Sequence, residues 1–138
     1  MADECVLIIE TGRAIAMTVA NGTGIEKGAV LILSDPFTAA TTTGDTDVVA
    51  GIAEGEKVAS DGRTKLGVYR EGIFKGTAGV AGVTVGVDLI TDTSTSGANR
   101  LVVADSTSIS VVGTALETAT NGQTFLFELM PRTGGRAS

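Results

Sequence analysis

Gly28-Ala29-Val30-Leu31-Ile32-Leu33-Ser34-Asp35 and Gly86-Val87-Asp88-Leu89-Ile90-Thr91-Asp92-Thr93 read alike. Each is a glycine leading an apolar run that ends in hydroxyl and acidic residues. A polar gap rich in Thr, Ser and Asp follows each, and then a second matching pair. These are Val48-Val49-Ala50-Gly51-Ile52-Ala53 and Ser110-Val111-Val112-Gly113-Thr114-Ala115. The first match is offset by 58 positions (28 to 86) and the second by 62 (51 to 113). Short β-branched runs bounded by Gly, Asp and Pro are strand signals. Their repeated order predicts an all-β chain, a small barrel or sandwich made of two similar halves with little or no helix.

Composition agrees with that reading. The chain has 138 residues, a length suited to one domain that buries a core without disulfide or metal. Apolar residues make up 43%, too many for a disordered chain. Four Phe, one Tyr and no Trp leave the core to Val, Ile, Leu and Ala. No segment sustains a 3.6-residue period; the short stretches 55–60 and 116–120 are the best helix candidates. Alternation marks a strand over 14–20, and Phe125, Phe127 and Leu129 alternate with Leu126, Glu128 and Met130 in a closing strand. Leu66 to Lys75 reads as two strand pieces around a kink at Glu71-Gly72. Residues 1–12 read as an N-terminal arm or first strand, 13–130 as the β domain, and 131–138 as a flexible tail.

The chemistry of an enzyme is hard to place. There is no His, the commonest general base and metal ligand. No phosphate-binding loop and no cysteine pair for zinc are present, so neither cofactor nor metal is expected. Asp45, Asp47, Asp88 and Asp92 offer carboxylates for calcium but no full ligand set. Cys5, the single cysteine, reads as a small buried apolar residue. The net charge of −6 argues against a nucleic-acid partner. Residues 57–75 carry five bases and two acids, a candidate contact strip for an acidic partner. The N-terminus lacks a basic region and a long apolar core, so neither a signal peptide nor a membrane segment is expected. Phe37 is a candidate exposed anchor, and Tyr69-Arg70 a candidate interface pair.

The order of motifs carries a resemblance. It runs Lys27-Gly28-Ala29-Val30-Leu31-Ile32, then Val-Ala-Gly-Ile-Ala at 49–53, then Glu71-Gly72-Ile73-Phe74. A second glycine-led strand follows (Val85-Gly86-Val87-Asp88-Leu89-Ile90), then Val-Val-Gly-Thr-Ala at 111–115, an Asn-Gly turn and a final alternating strand. Over about residues 25–130 this resembles the capsid cement, or head decoration, proteins of tailed bacteriophages. The resemblance implies a β-tulip-like, non-enzymatic virion protein on the outer capsid surface, made in the host cytoplasm. It implies the major capsid protein as partner and self-association as a homotrimer. Val6, Leu7, Ile8, Ile9, Arg13, Phe37, Tyr69 and Arg70 are the candidate partner contacts. Cys5 to Ile9 is the candidate arm that adds a strand to a neighbour's sheet edge. A tail-tube or baseplate β protein, and a carbohydrate-binding module, are the other classes weighed.

Overall fold

The computed structural model describes residues 4–41, 48–91, 100–103 and 110–133. Among them are the strands β1 (Val6–Ile9), β2 (Ile15–Thr18), β3 (Val30–Ser34), β4 (Thr38–Thr41) and β5 (Val49–Ala53). They continue with β6 (Lys65–Tyr69), β7 (Gly72–Thr77), β8 (Asp88–Thr91), β9 (Leu101–Val103), β10 (Ser110–Ala115) and β11 (Thr124–Thr133). The described residues include no helix, and so none long and apolar enough to cross a membrane. The two helix candidates are instead the same turn, once in each half of the chain.

The duplication is physical. Strands β2 to β6 close into a barrel, β2-β4-β3-β5-β6. Strands β7 to β11 repeat the same neighbours in a six-stranded sheet, β7-β11-β10-β8-β9, with β1 added outside β7. A parallel contact, Thr18 against Thr38, closes the first barrel; the parallel bridge Ala78 to Leu101 stands at that place in the second half. Main-chain bonds repeat at the sequence offsets. The Gly28 N–H donates to Ala53 O at 3.0 Å, and Gly86 N–H to Ala115 O at 2.8 Å. Ala53 N–H donates to Ala29 O at 2.9 Å, and Ala115 N–H to Val87 O at 3.0 Å. The β2–β6 register, Ile15 on Val68 to Thr18 on Lys65, returns at an offset of 59 as Phe74 on Phe127 to Thr77 on Thr124.

Gly51 and Gly113 explain why each half keeps a glycine in its second strand. A Cβ on Gly51 would lie 2.0 Å from Tyr69 O, and one on Gly113 would lie 1.9 Å from Glu128 O. Backbone approaches backbone there, so only glycine fits.

Met17, Val19, Ile25, Leu31, Leu66 and Val68 fill the first barrel. The second core is built on Phe74, Phe125, Phe127, Leu89 and Leu101, and it takes in Val30, Val49 and Ile52 from the first half. The Val49 N–H also donates to the buried Ser110 Oγ at 3.1 Å. The two halves therefore share apolar surface. Phe125 and Phe127 are core, as the alternation predicts.

Three details differ from the sequence reading. The basic strip is not one surface, because Lys57 is 1% exposed. Its ammonium donates to Asn21 O (2.7 Å), Thr23 O (3.0 Å) and Val58 O (3.3 Å) and lies 3.5 Å from Asp61 Oδ1. It thus ties two turns together from within, one at 21–23 and one at 58–62. The Asp61 carboxyl is held below its ordinary value, mainly by the Arg63 N–H and also by Lys57. Second, Pro131 to Thr133 extend β11 and do not begin the tail; residues 134–138 lie outside the described set. Proline is tolerated at 131 because the pairing with β7 ends at Leu129 and the register with β10 shifts there. Third, Cys5–Ile9 is not a free arm: β1 pairs antiparallel with this chain's own β7. The kink at Glu71-Gly72 is the boundary between the two halves.

Gly113→Ala is expected to cost about 3 kcal/mol by forced backbone movement. Gly86→Ala, whose Cβ would meet nothing within 4 Å, should cost about 1–2 kcal/mol from its left-handed backbone alone. Urea unfolding of both variants checks the difference. Lys57→Met, which strands three carbonyls, should cost about 2–4 kcal/mol in the same assay.

Candidate functional interface

An exact repeat allows one half to be compared with the other, position by position. Inside the barrels the two halves do the same job. Outside they differ. In the first half, the row Val30, Ile52 and Tyr69 crosses β3, β5 and β6. It packs into the shared core. The equivalent row in the second half is Asp88, Thr114 and Glu128. It is polar and partly or fully exposed, with Asp88 ion-paired to Arg132.

The neighbouring positions differ in the opposite sense. Ala16 and Gly67 pair across β2 and β6, and the Glu54 carboxylate lies over Gly67. The equivalents in the second half are Lys75, Leu126 and Leu116. Small or acidic positions have become large and apolar or basic. On this outer face Val6 pairs with Lys75 and Ile9 with Ile73. Leu126 pairs with Lys75 and Glu128 with Ile73. Met130 (43% exposed) and Leu116 (40%) extend the apolar surface along β11 and past β10. The face thus sets the apolar side chains of Val6, Ile9, Ile73, Leu116, Leu126 and Met130 beside the charged Lys75 and Glu128, a mixture found at docking surfaces.

The candidate contacts from the sequence fall in separate places. Val6, Ile8 and Ile9 are 47, 49 and 52% exposed on β1, while Leu7 turns inward against the core. The register shift between Leu7 and Ile9 is what leaves both Ile8 and Ile9 outward. Arg13 is exposed in the link from β1 to β2. Phe37 is 53% exposed at the β3–β4 tip, in the left-handed region at φ 47°. An aromatic held there is a strained, presented side chain. Tyr69 and Arg70 are half-buried and already engaged. The Tyr69 ring meets Phe74 edge-on at 5.8 Å, and Arg70 Nη1 donates to Ala50 O at 2.9 Å. Burial, with Glu54 and Glu10 nearby, pushes the Tyr69 hydroxyl above its ordinary value. Val6 and Ile9 belong to the outer face; Phe37 and Arg13 do not join it through any strand pairing.

The sequence reading missed Leu116, Ile73, Leu126 and Met130 as a surface. The signal was present in the even positions of β11, and it needed the repeat alignment to stand out.

A cleft of about 200 Å³ lies between β1 and the first half, lined among others by Cys5, Val6, Lys27, Glu54 and Tyr69. Among the described residues no group of three His, Cys, Asp or Glu side chains could hold a metal. Of the calcium candidates, Asp45, Asp47 and Asp92 lie outside the described residues.

No family model and no curated protein matches this chain. Among solved structures it is similar to the head fiber gp8.5 N base of bacteriophage phi29. The two superpose with a TM-score of 0.55 at 18% identity, over 88% of this chain and 96% of that one. The two proteins share a fold over nearly their whole lengths.

Charging the outer face should leave the fold intact. Met130→Glu and Leu126→Glu together are expected to change stability by only about 0.5 kcal/mol per site, with unchanged far-UV circular dichroism. A collapse in thermal unfolding would assign these side chains to the core.

Proposed function

We propose that this chain is a structural protein of a tailed-phage virion that binds the outside of an assembled head. Its partner is the major capsid protein, and it stabilises contacts between neighbouring capsid subunits as a homotrimer. The observation that carries the reading is the fold held in common with a head fiber base over 88% of the chain. The motif order of the sequence leads to the same class. The outer face of β1, β7 and β11 is the attachment surface in this reading, since it is where the second half departs from the first. Repetition on a shell makes modest contacts strong together.

The chain acts without catalysis, metal or cofactor in this reading. Its place is the outer capsid surface, reached from the host cytoplasm during assembly. A sequence with no His supports a building role over hydrolysis.

Heads assembled without this protein, mixed with the purified chain and pelleted, provide the test. The chain should co-sediment with heads, and Leu126→Glu with Met130→Glu should lose at least tenfold in affinity, a change of about 1.4 kcal/mol. Wild-type protein that stays in the supernatant would sink the proposal.

A further inference from the structure

The repeat also exposes an edge that no strand of the described residues covers. In the second half, β1 covers the N-terminal part of β7, with Val6 on Lys75, Leu7 on Phe74 and Ile9 on Ile73. The strand equivalent to β7 is β2, at an offset of 59. Residues 15–18 of β2 pair with β6 on one side. On the other side, among the described residues, β2 pairs at Thr18 alone, with β4. Ile15 and Ala16 therefore present one unpaired main-chain side. Ile15 occupies the place of the buried Phe74, yet it is 42% exposed. An inward position left open is what an uncovered edge produces.

The same chain carries a strand of matching character. Among the described residues β1 is the outermost strand of its sheet, paired on β7 and on no other strand. Val6, Ile8 and Ile9 are exposed beside that open side.

We propose that the open side of β1 in one copy pairs antiparallel with the open side of β2 in a second copy. β1 stays on its own β7 and becomes an inner strand. Leu7 faces inward in one copy and Ile15 in the other, so matching faces set Leu7 beside Ile15. That register brings Glu10 of one copy to the Gly12–Arg13 end of the next. Both Glu10 and Arg13 are exposed and opposite in charge, so the strand ends are complementary. The internal precedent is strong: this fold already uses β1 to cover the equivalent edge. The two surfaces differ, so the contact is head-to-tail and closes only as a ring. A ring of three gives the trimer, and the proposal rests on that part of the function proposed above.

Crosslinking and mass measurement test it. Leu7→Cys and Ile15→Cys, the pair that shares one face in this register, are made singly and together in the full chain. Oxidation of the double variant, or of a mixture of the two single variants, should give an intermolecular disulfide. Either single variant alone should give none. Native mass spectrometry of the wild type should show a closed oligomer, and Ile15→Lys should be monomeric with unchanged circular dichroism. A crosslink in Leu7→Cys alone would replace this contact with β1 against β1. An oligomer that survives Ile15→Lys, or gives no β1–β2 disulfide, would overturn the interface. A wild type that is monomeric at its highest soluble concentration would overturn it as well. Head binding by the Ile15→Lys monomer, measured separately, keeps the failure of this contact distinct from the failure of head attachment.

Discussion

Two backbone contacts set the terms for the rest of the molecule. At Gly51 and Gly113 the chain passes so close to Tyr69 O and Glu128 O that a Cβ would sit within about 2 Å of each carbonyl oxygen. That closeness bends β5 and β10, and both strands show register shifts in their pairing nearby. A tight bend lets five short strands curl into a small barrel whose inside is filled by Val, Leu, Ile and Met. The repeated glycine therefore marks the close backbone approach in each half.

The two halves differ on their surfaces. One places Val30, Ile52 and Tyr69 on the face that packs into the shared core. The other places Asp88, Thr114 and Glu128 at the same positions. The second half therefore carries a polar row where the first carries an apolar one. Nearby, Lys75, Leu126 and Leu116 stand where the first half has Ala16, Gly67 and Glu54, which makes one face of the second half more apolar.

Lys57 shows how a turn can be held without a larger core. Its ammonium takes the place of a packed side chain among the turns around Asn21, Thr23 and Val58. The equivalent position in the second half is Ala119, also buried. There the site has no charge to satisfy, and the main chain alone closes it, through paired bonds between Val83 and Ala119.

By itself the sequence determined the all-β class, the two halves and the strands around Gly28, Gly51, Gly86 and Gly113. Those features rest on local rules: alternation, β-branching, and the freedom of glycine at turns and close approaches. It also placed Phe125 and Phe127 inside, because a period of two separates the faces of a strand. The tertiary structure decided what those rules do not reach. It put β1 on its own β7, took Lys57 out of the basic strip, and engaged Tyr69 and Arg70 at the junction of the halves. It also gathered Val6, Ile73, Leu116, Leu126 and Met130, far apart in the chain, onto one face. Exposure of an apolar side chain depends on which strand lies beside it, and strand neighbours here are set by pairings between distant residues.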